Sequence, residues 1–368
     1  MPGAAVNGGE GTRRPLGPGD RAVVTGAGGF IGSAVVRALL ARGAEVVAML
    51  APSGDDANLR DLPVQTVRVD VRDPRGVADA FRGARAVFHL AAVYRFWAPD
   101  PAVFYAVNVG GTRNVIEAAV DAGAERVVYT GTVGTVGLPG PGASRAADER
   151  EYVEIAHLFG LYKQSKYVAE HEALRAAAQG APVTLVLPTF PLGPGDRKPT
   201  PTGKVVVDFL NGRIPGFVDT AMNVAHVDDL AMAHVLAFER GRIGHSYIVG
   251  GENLSMRQLL ELLAECTGLP PVDRRIPGPL GIAAGWISHL VEGRLLRREP
   301  AVPLEGARMS ATRMVFDDSR ARAELGHCSR PAIDAVESSA RWYVEHGYVR
   351  PSRSARIRWR EPAGRRSG

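Results

Sequence analysis

Tyr162 and Lys166 stand four residues apart in the stretch YKQSK, which on a helix puts a phenol and an ammonium on one face, one turn apart. An ammonium about 5 Å from a phenol favours the phenolate by roughly 3 kcal/mol at an effective dielectric of about 20. Beside a bound dinucleotide, such a pair can give or take the proton that accompanies hydride transfer. The dinucleotide signal lies upstream. TGAGGFIG, residues 25–32, follows an apolar run and supplies Gly26, Gly29 and Gly32. These meet the needs of a tight turn, close backbone approach to a pyrophosphate, and close helix–strand packing. A helix opening at Phe30 and Ile31 aims unpaired N–H groups and a partial positive charge at the phosphates.

Elements that can position these groups follow from the apolar pattern. Strands are predicted at 21–27, 45–50, 64–70, 86–91, 126–133 and 183–189, alternating with helices at 30–42, 74–82, 101–122 and 157–178. Apolar strands alternating with helices predict an α/β fold, a doubly wound parallel (Rossmann) sheet covered on both faces. After Thr189 the loop PLGPGDRKPTPTG packs four Pro and three Gly into thirteen residues and leads out of the sheet. Helices near 204–212, 229–240, 255–267 and 332–346, with short strands at 223–227 and 246–249, predict a smaller, mostly helical C-terminal substrate lobe. The expected organisation is a flexible N-terminal tail at 1–19 and a dinucleotide-binding domain at 20–190, to which 223–250 returns. A lobe at 191–348 and a flexible Arg-rich tail at 349–368 complete it.

Strand ends supply the remaining cofactor contacts. Asp70, followed by Val71, ends the third strand, where a carboxylate can accept from an adenine amino group; a solvated strand-end Asp is the plainer alternative. Ala91 and Ala92 end the fourth, and small side chains there let a ribose lie against the backbone. The second strand ends in Met49-Leu50-Ala51-Pro52, with neither the carboxylate that takes the ribose hydroxyls of NAD nor an Arg for a 2′-phosphate. NAD and NADP therefore stay open.

Bulk properties exclude other classes. The net charge of +5 is concentrated in residues 350–368, where seven Arg against one Glu give +6 and leave the rest of the chain at about −1. With no recognition motif beside them, these charges do not predict a nucleic-acid partner. Cys266 and Cys328 have neither ligand spacing nor a disulfide framework, so no metal is expected and a reducing cytoplasm fits. No apolar run reaches the roughly 18 residues of a transmembrane helix, and the first twenty residues lack a signal-peptide core.

The order TGAGGFIG, VDVRDP, HLAA, NVGGTRNV, VVYTGTVGTVG, YKQSK, Pro188 and AHVDDLAMAH resembles the extended short-chain dehydrogenases/reductases over about residues 20–348. Within them the chain looks most like the dihydroflavonol-reductase-like branch. It is especially similar to hopanoid-associated sugar epimerase proteins through RFWAPDP, GDRKPTPTGKVVVDFLNGR and FERGRIGHSYIVGGENL. The resemblance implies Tyr162 as general acid/base and Lys166 as the group that holds the nicotinamide ribose. It implies Thr132, five residues before Gly137, as the hydroxyl that orients the substrate oxygen, Asn108 in a supporting role, and Pro188 against the cofactor. It also implies a homodimer formed through the helices at 101–122 and 157–178.

Two reactions compete: net hydride exchange with a carbonyl or alcohol, and transient oxidation of a sugar for epimerisation or dehydration. Resembling nucleotide-sugar epimerases carry an Arg four residues before the His of His226-Val227-Asp228-Asp229; here that residue is Met222, which cannot neutralise a diphosphate. Net reduction of a small, partly apolar substrate is thus the first expectation. Tyr94, Trp97, Val133 and Phe190 are the candidate substrate contacts. A non-catalytic nucleotide sensor would have no need of both Tyr162 and Lys166. The apolar stretch at 277–296 is expected to form a lobe helix covering the substrate, with peripheral membrane contact as the lesser alternative.

Overall fold

In the computed structural model, which describes residues 13–139, 145–277, 286 and 312–360, the apolar runs alternate between two cores, as strands covered on both faces must. From β1 (Arg21–Thr25), Ala22 and Val24 enter one core and Val23 the other; from β2 (Glu45–Leu50), Val46, Ala48 and Leu50 oppose Val47 and Met49. With β3 (Gln65–Arg68), β4 (Ala86–His89), β5 (Arg126–Thr130), β6 (Val183–Pro188) and β9 (Ser246–Val249), they form a seven-stranded sheet of order β3-β2-β1-β4-β5-β6-β9, with every pairing parallel. The order reverses between β1 and β4, which opens a crevice at the strands' carboxyl ends. Helices α1 (Phe30–Ala41) and α7 (Val227–Arg240) cover one face, while α2 (Pro74–Ala80), α4 (Gly111–Asp121) and α5 (Leu161–Ala178) cover the other.

The lobe has its own core. A smaller sheet of β7 (Phe190–Leu192), β8 (Ala221–His226), β10 (Glu252–Ser255) and β11 (Arg313–Met314) packs with α6 (Pro201–Leu210), α8 (Met256–Thr267) and α9 (Ala332–Glu345). Of the segment 223–250 expected to return to the large sheet, β9 and α7 do so, whereas β8 belongs to the lobe sheet. Most of 277–296 lies outside the described residues. Among the described residues, no helix is long and apolar enough to cross a membrane.

Two expectations need correction. The helix expected at 101–122 is broken: α3 (Ala102–Tyr105) passes into a π-helical turn, Ala106–Gly110, before α4 resumes. Such turns insert an extra residue and re-aim the side chains around them. Both expected tails are also docked where they are described. Leu16 is buried, and Arg14 pairs with Asp20 at 2.6 Å. At the other end, Arg350 and Arg353 donate to the carbonyls of Asn211 and Leu210 past the end of α6, a position that favours cations. Beyond a short helix, α10 (Pro351–Ser354), Ile357 is buried and the Arg358 and Arg360 N–H groups bond Thr267 and Cys266 carbonyls at the end of α8. The guanidinium groups of Arg350 and Arg353 therefore serve as helix-end ligands, while Arg358 and Arg360 reach the end of α8 through their backbone. The signal was the alternation Arg-Ile-Arg-Trp-Arg, which the charge count concealed.

Candidate active site

The glycine turn is held open by contacts that admit no side chain. Gly26 has φ +68°, and a Cβ there would lie 2.8 Å from the Ala91 nitrogen; at Gly32 it would lie 2.2 Å from the Gly26 carbonyl oxygen. The first turn of α1 carries no acid and no side-chain cap, so the N–H groups of Phe30, Ile31 and Gly32 have no intrahelical acceptor. That donor set suits an anionic pyrophosphate. Gly32→Ala drives a methyl into the Gly26 backbone, and we expect NADH and NADPH affinity, read by fluorescence titration, to fall about tenfold or more. Unchanged affinity would remove the phosphate-binding role from this turn.

A second feature of the turn was not readable beforehand. The loop after β2 folds over it, so that a Cβ on Gly28 would meet the Asp55 carbonyl oxygen at 2.1 Å. Asn58 Nδ2 ties the Gly28 carbonyl (3.3 Å) to that of Gly195 (2.9 Å). Arg68, beside Leu50 in register, donates to the Gly54 carbonyl at 2.7 Å and to Asp56 at 2.8 Å. The acids of this loop thus face arginines, Asp55 standing 3.7 Å from Arg197. Asp70 holds Arg72 and its backbone N–H, and that guanidinium keeps the Asp70 carboxyl below the ordinary range.

One crevice of about 1170 Å³ runs from this turn to the Tyr-Lys helix. Gly26, Gly29, Phe30, Ile31, Gly32, Asp70, Val71, Ala91, Ala92, Thr132, Tyr162, Lys166, Pro188 and Tyr94 all line it. Three of the four substrate candidates stand elsewhere. Val133 faces a second cavity of about 370 Å³ with His157 and Lys163. Trp97 is half-buried and outside both linings, and Phe190 packs against the lobe core. Phe190 fails as a crevice contact because β7 turns its side chain into the lobe, leaving Thr189 and Pro191 as the lining residues. Met222 is also buried in the lobe core, packed away from the crevice.

Lys166 donates to the Thr130 carbonyl at 2.6 Å, and its ammonium lies 4.6 Å from the centre of the Tyr129 ring. An ammonium has three donors, so two remain for a ribose. Burial pushes the Lys166 pKa down to about 8. Tyr162 sits under the Tyr94 ring, centroids 5.0 Å apart. Thr132 caps the short turn Val133–Thr135 by accepting from the Gly134 N–H at 3.1 Å, which leaves its own proton for a ligand. Asn108 does not line the crevice. From the π turn it accepts from the Val93 N–H at 2.8 Å and donates to Ser165 Oγ at 2.9 Å, tying the loop after β4 to α5.

Below the crevice floor, His89 bridges the ends of β1 and β4. Thr112 spends its single proton on the Asn108 carbonyl (2.6 Å), so His89 Nε2 donates to Thr112 and Nδ1 accepts from Thr25. Burial, with Lys166 nearby, pushes the His89 pKa down to about 3, keeping this bridge neutral. Among the described residues, no cluster of three His, Cys, Asp or Glu could hold a metal.

Comparison with known proteins places the chain and its fold. The model of the NAD dependent epimerase/dehydratase family matches residues 22–250. A putative dihydroflavonol 4-reductase of Synechocystis sp. is 40% identical over 89% of this chain and 95% of its own. The 2-alkyl-3-oxoalkanoate reductase of Stenotrophomonas maltophilia is 31% identical over 85% of this chain and 96% of its own. The crystal structure of DesIV, a dTDP-glucose 4,6-dehydratase from Streptomyces venezuelae with NAD and TYD bound, superposes with a TM-score of 0.69. It is 26% identical, covering 90% of this chain and 99% of that one. A chain that shares this sheet, this glycine turn and this breadth of similarity belongs to the NAD-dependent epimerase/dehydratase family of extended short-chain dehydrogenases/reductases, and is an NAD(P)-dependent enzyme.

Proposed function

We propose that the protein is a carbonyl reductase or alcohol dehydrogenase that exchanges hydride between NAD(P) and a small, partly apolar substrate. The observation that carries this reading is the continuity of the crevice: the glycine turn, Thr132, Tyr162 and Lys166 share one cavity, whose walls near Tyr94 include Ala98, Pro99, Val103 and Val107. A bound nicotinamide supplies or accepts the hydride. Tyr162 gives or takes the proton at the substrate oxygen, and Thr132 donates to that same oxygen. Lys166 directs its two remaining donors to the ribose and places positive charge beside the phenol. Asn108 holds the Val93 backbone and α5 in register beneath them.

Sugar epimerisation or dehydration is the alternative, favoured by the likeness to DesIV and by Arg95, Arg197 and Lys198 at the crevice. Against a nucleotide diphosphate stands the sequence, which has Met222 where resembling nucleotide-sugar epimerases carry an Arg, although this side chain packs in the lobe core rather than at the crevice. The discriminating experiment supplies NADH or NADPH with a panel of 2-alkyl-3-oxoacids and dihydroflavonols, and, in parallel, oxidised NAD or NADP with UDP-glucose and dTDP-glucose, whose transient oxidation needs a hydride acceptor. Stoichiometric loss of nicotinamide absorbance with an oxo substrate is expected. Conversion of a nucleotide sugar with no net cofactor change would overturn the reductase reading.

A further inference from the structure

Glu170 is the titratable group on the Tyr162–Lys166 face of α5 that the scheme above leaves unused. It continues the face that bears Tyr162 and Lys166, each one turn further along. The residue is partly buried, and its Oε2 reaches under the turn that follows β5. Gly131 lies alongside: a Cβ there would meet Oε2 in ordinary contact at 3.6 Å, and the neighbour it would strike is a Leu187 methyl at 2.3 Å.

The hydrogen bonds around it are over-subscribed for a carboxylate. Thr135 Oγ1 lies 2.6 Å from Glu170 Oε2 and 2.7 Å from the Thr132 carbonyl oxygen. A hydroxyl has one proton, so it cannot donate to both. With an ionised Glu170, one short oxygen–oxygen contact would hold no proton. A protonated Glu170 resolves this by donating to Thr135, whose proton then goes to the Thr132 carbonyl. Lys166 meanwhile turns its ammonium to the Thr130 carbonyl and the Tyr129 ring. We infer that Glu170 is held as a neutral carboxylic acid and acts, through Thr135, as a positioning residue for Thr132 at the reacting centre.

The surrounding charges act in both directions. Burial pushes the Glu170 pKa up, while Thr135, Lys166 and His171 pull it down. Tyr129 on β5 and Tyr167 on α5 also face it, and burial chiefly raises both. The one-proton geometry decides in favour of the neutral form. Neutrality has a further effect: a carboxylate one turn from Lys166 would offset the positive charge offered to Tyr162.

The kinetic half of this inference rests on the proposed role of Thr132; the protonation half does not. Infrared difference spectra of the full chain, wild type minus Glu170→Gln, test protonation without substrate. A protonated-carboxyl carbonyl band at pH 7, absent from the variant, is expected; carboxylate bands alone would overturn the proposal. Turnover is then followed on whichever reaction the panel identifies. Glu170→Gln keeps a donor and should stay within about threefold of wild type, whereas Glu170→Leu and Thr135→Val should lose about tenfold, with Thr135→Ser restoring activity. NADH or NADPH affinity checks that each site remains assembled. Glu170→Gln falling as far as Glu170→Leu would mean that charge, not donation, is required, and would also overturn the inference. A failed reductase reading with an intact carboxyl band would leave it standing.

Discussion

Replacing Tyr162 by Phe lowers turnover by about 10²–10⁴-fold, the range supplied by a positioned acid or base. Affinity for NADH or NADPH should stay within a few-fold, because the ring still fills its place beneath Tyr94 and only the hydroxyl is lost. Steady-state turnover paired with fluorescence titration separates the two effects. A variant with near-wild-type turnover would show that another group moves the proton. Loss of nucleotide binding instead would make Tyr162 a wall of the crevice.

Lys166→Met should cost about 10²–10³-fold in turnover, since it removes a charge aimed at the reacting centre. It carries an opposite expectation for stability. Burial pushes the Lys166 pKa down to about 8, against about 10.4 in an unfolded chain. Between those values the unfolded chain holds a proton that the folded one has released, so folding gains stability as pH rises through this window. Below about 8 both states are protonated, and the full cost of burying the ammonium is present. The Met variant should therefore be at least as stable as wild type at pH 7, with its advantage fading toward pH 10. Wild-type turnover should fall as pH rises through about 8, and the variant should lack that limb. Melting temperatures and pH–rate profiles test both; a variant that melts well below wild type at pH 7 would mean that the Thr130 and Tyr129 contacts outweigh desolvation.

The parts legible in the sequence were those with local periodicity. Apolar runs marked the strands because both faces of a parallel sheet are buried, and the four-residue step from Tyr162 to Lys166 survived folding because α5 is regular. What escaped depended on distant partners. Glu170 meets Thr135 across 35 residues, and Asn58 reaches Gly195 across 137. The π turn at Ala106–Gly110 has no pattern of its own; it carries Asn108, whose amide bonds Val93 and Ser165. Val133 and Phe190 follow the ends of β5 and β6, where the direction of a side chain depends on the local turn, and their neighbours Thr132, Thr189 and Pro191 line the crevice instead.

The return of the chain to its first layer limits how it can be divided. Cutting after residue 190 would strip β9 from β6 and α7 from α1. A bare strand edge and an uncovered helix stripe, including Val35 and Leu39, would then face water. The nucleotide-binding half is thus no detachable module, and a gene fusion or truncation that respects only the apparent boundary would release an aggregating fragment.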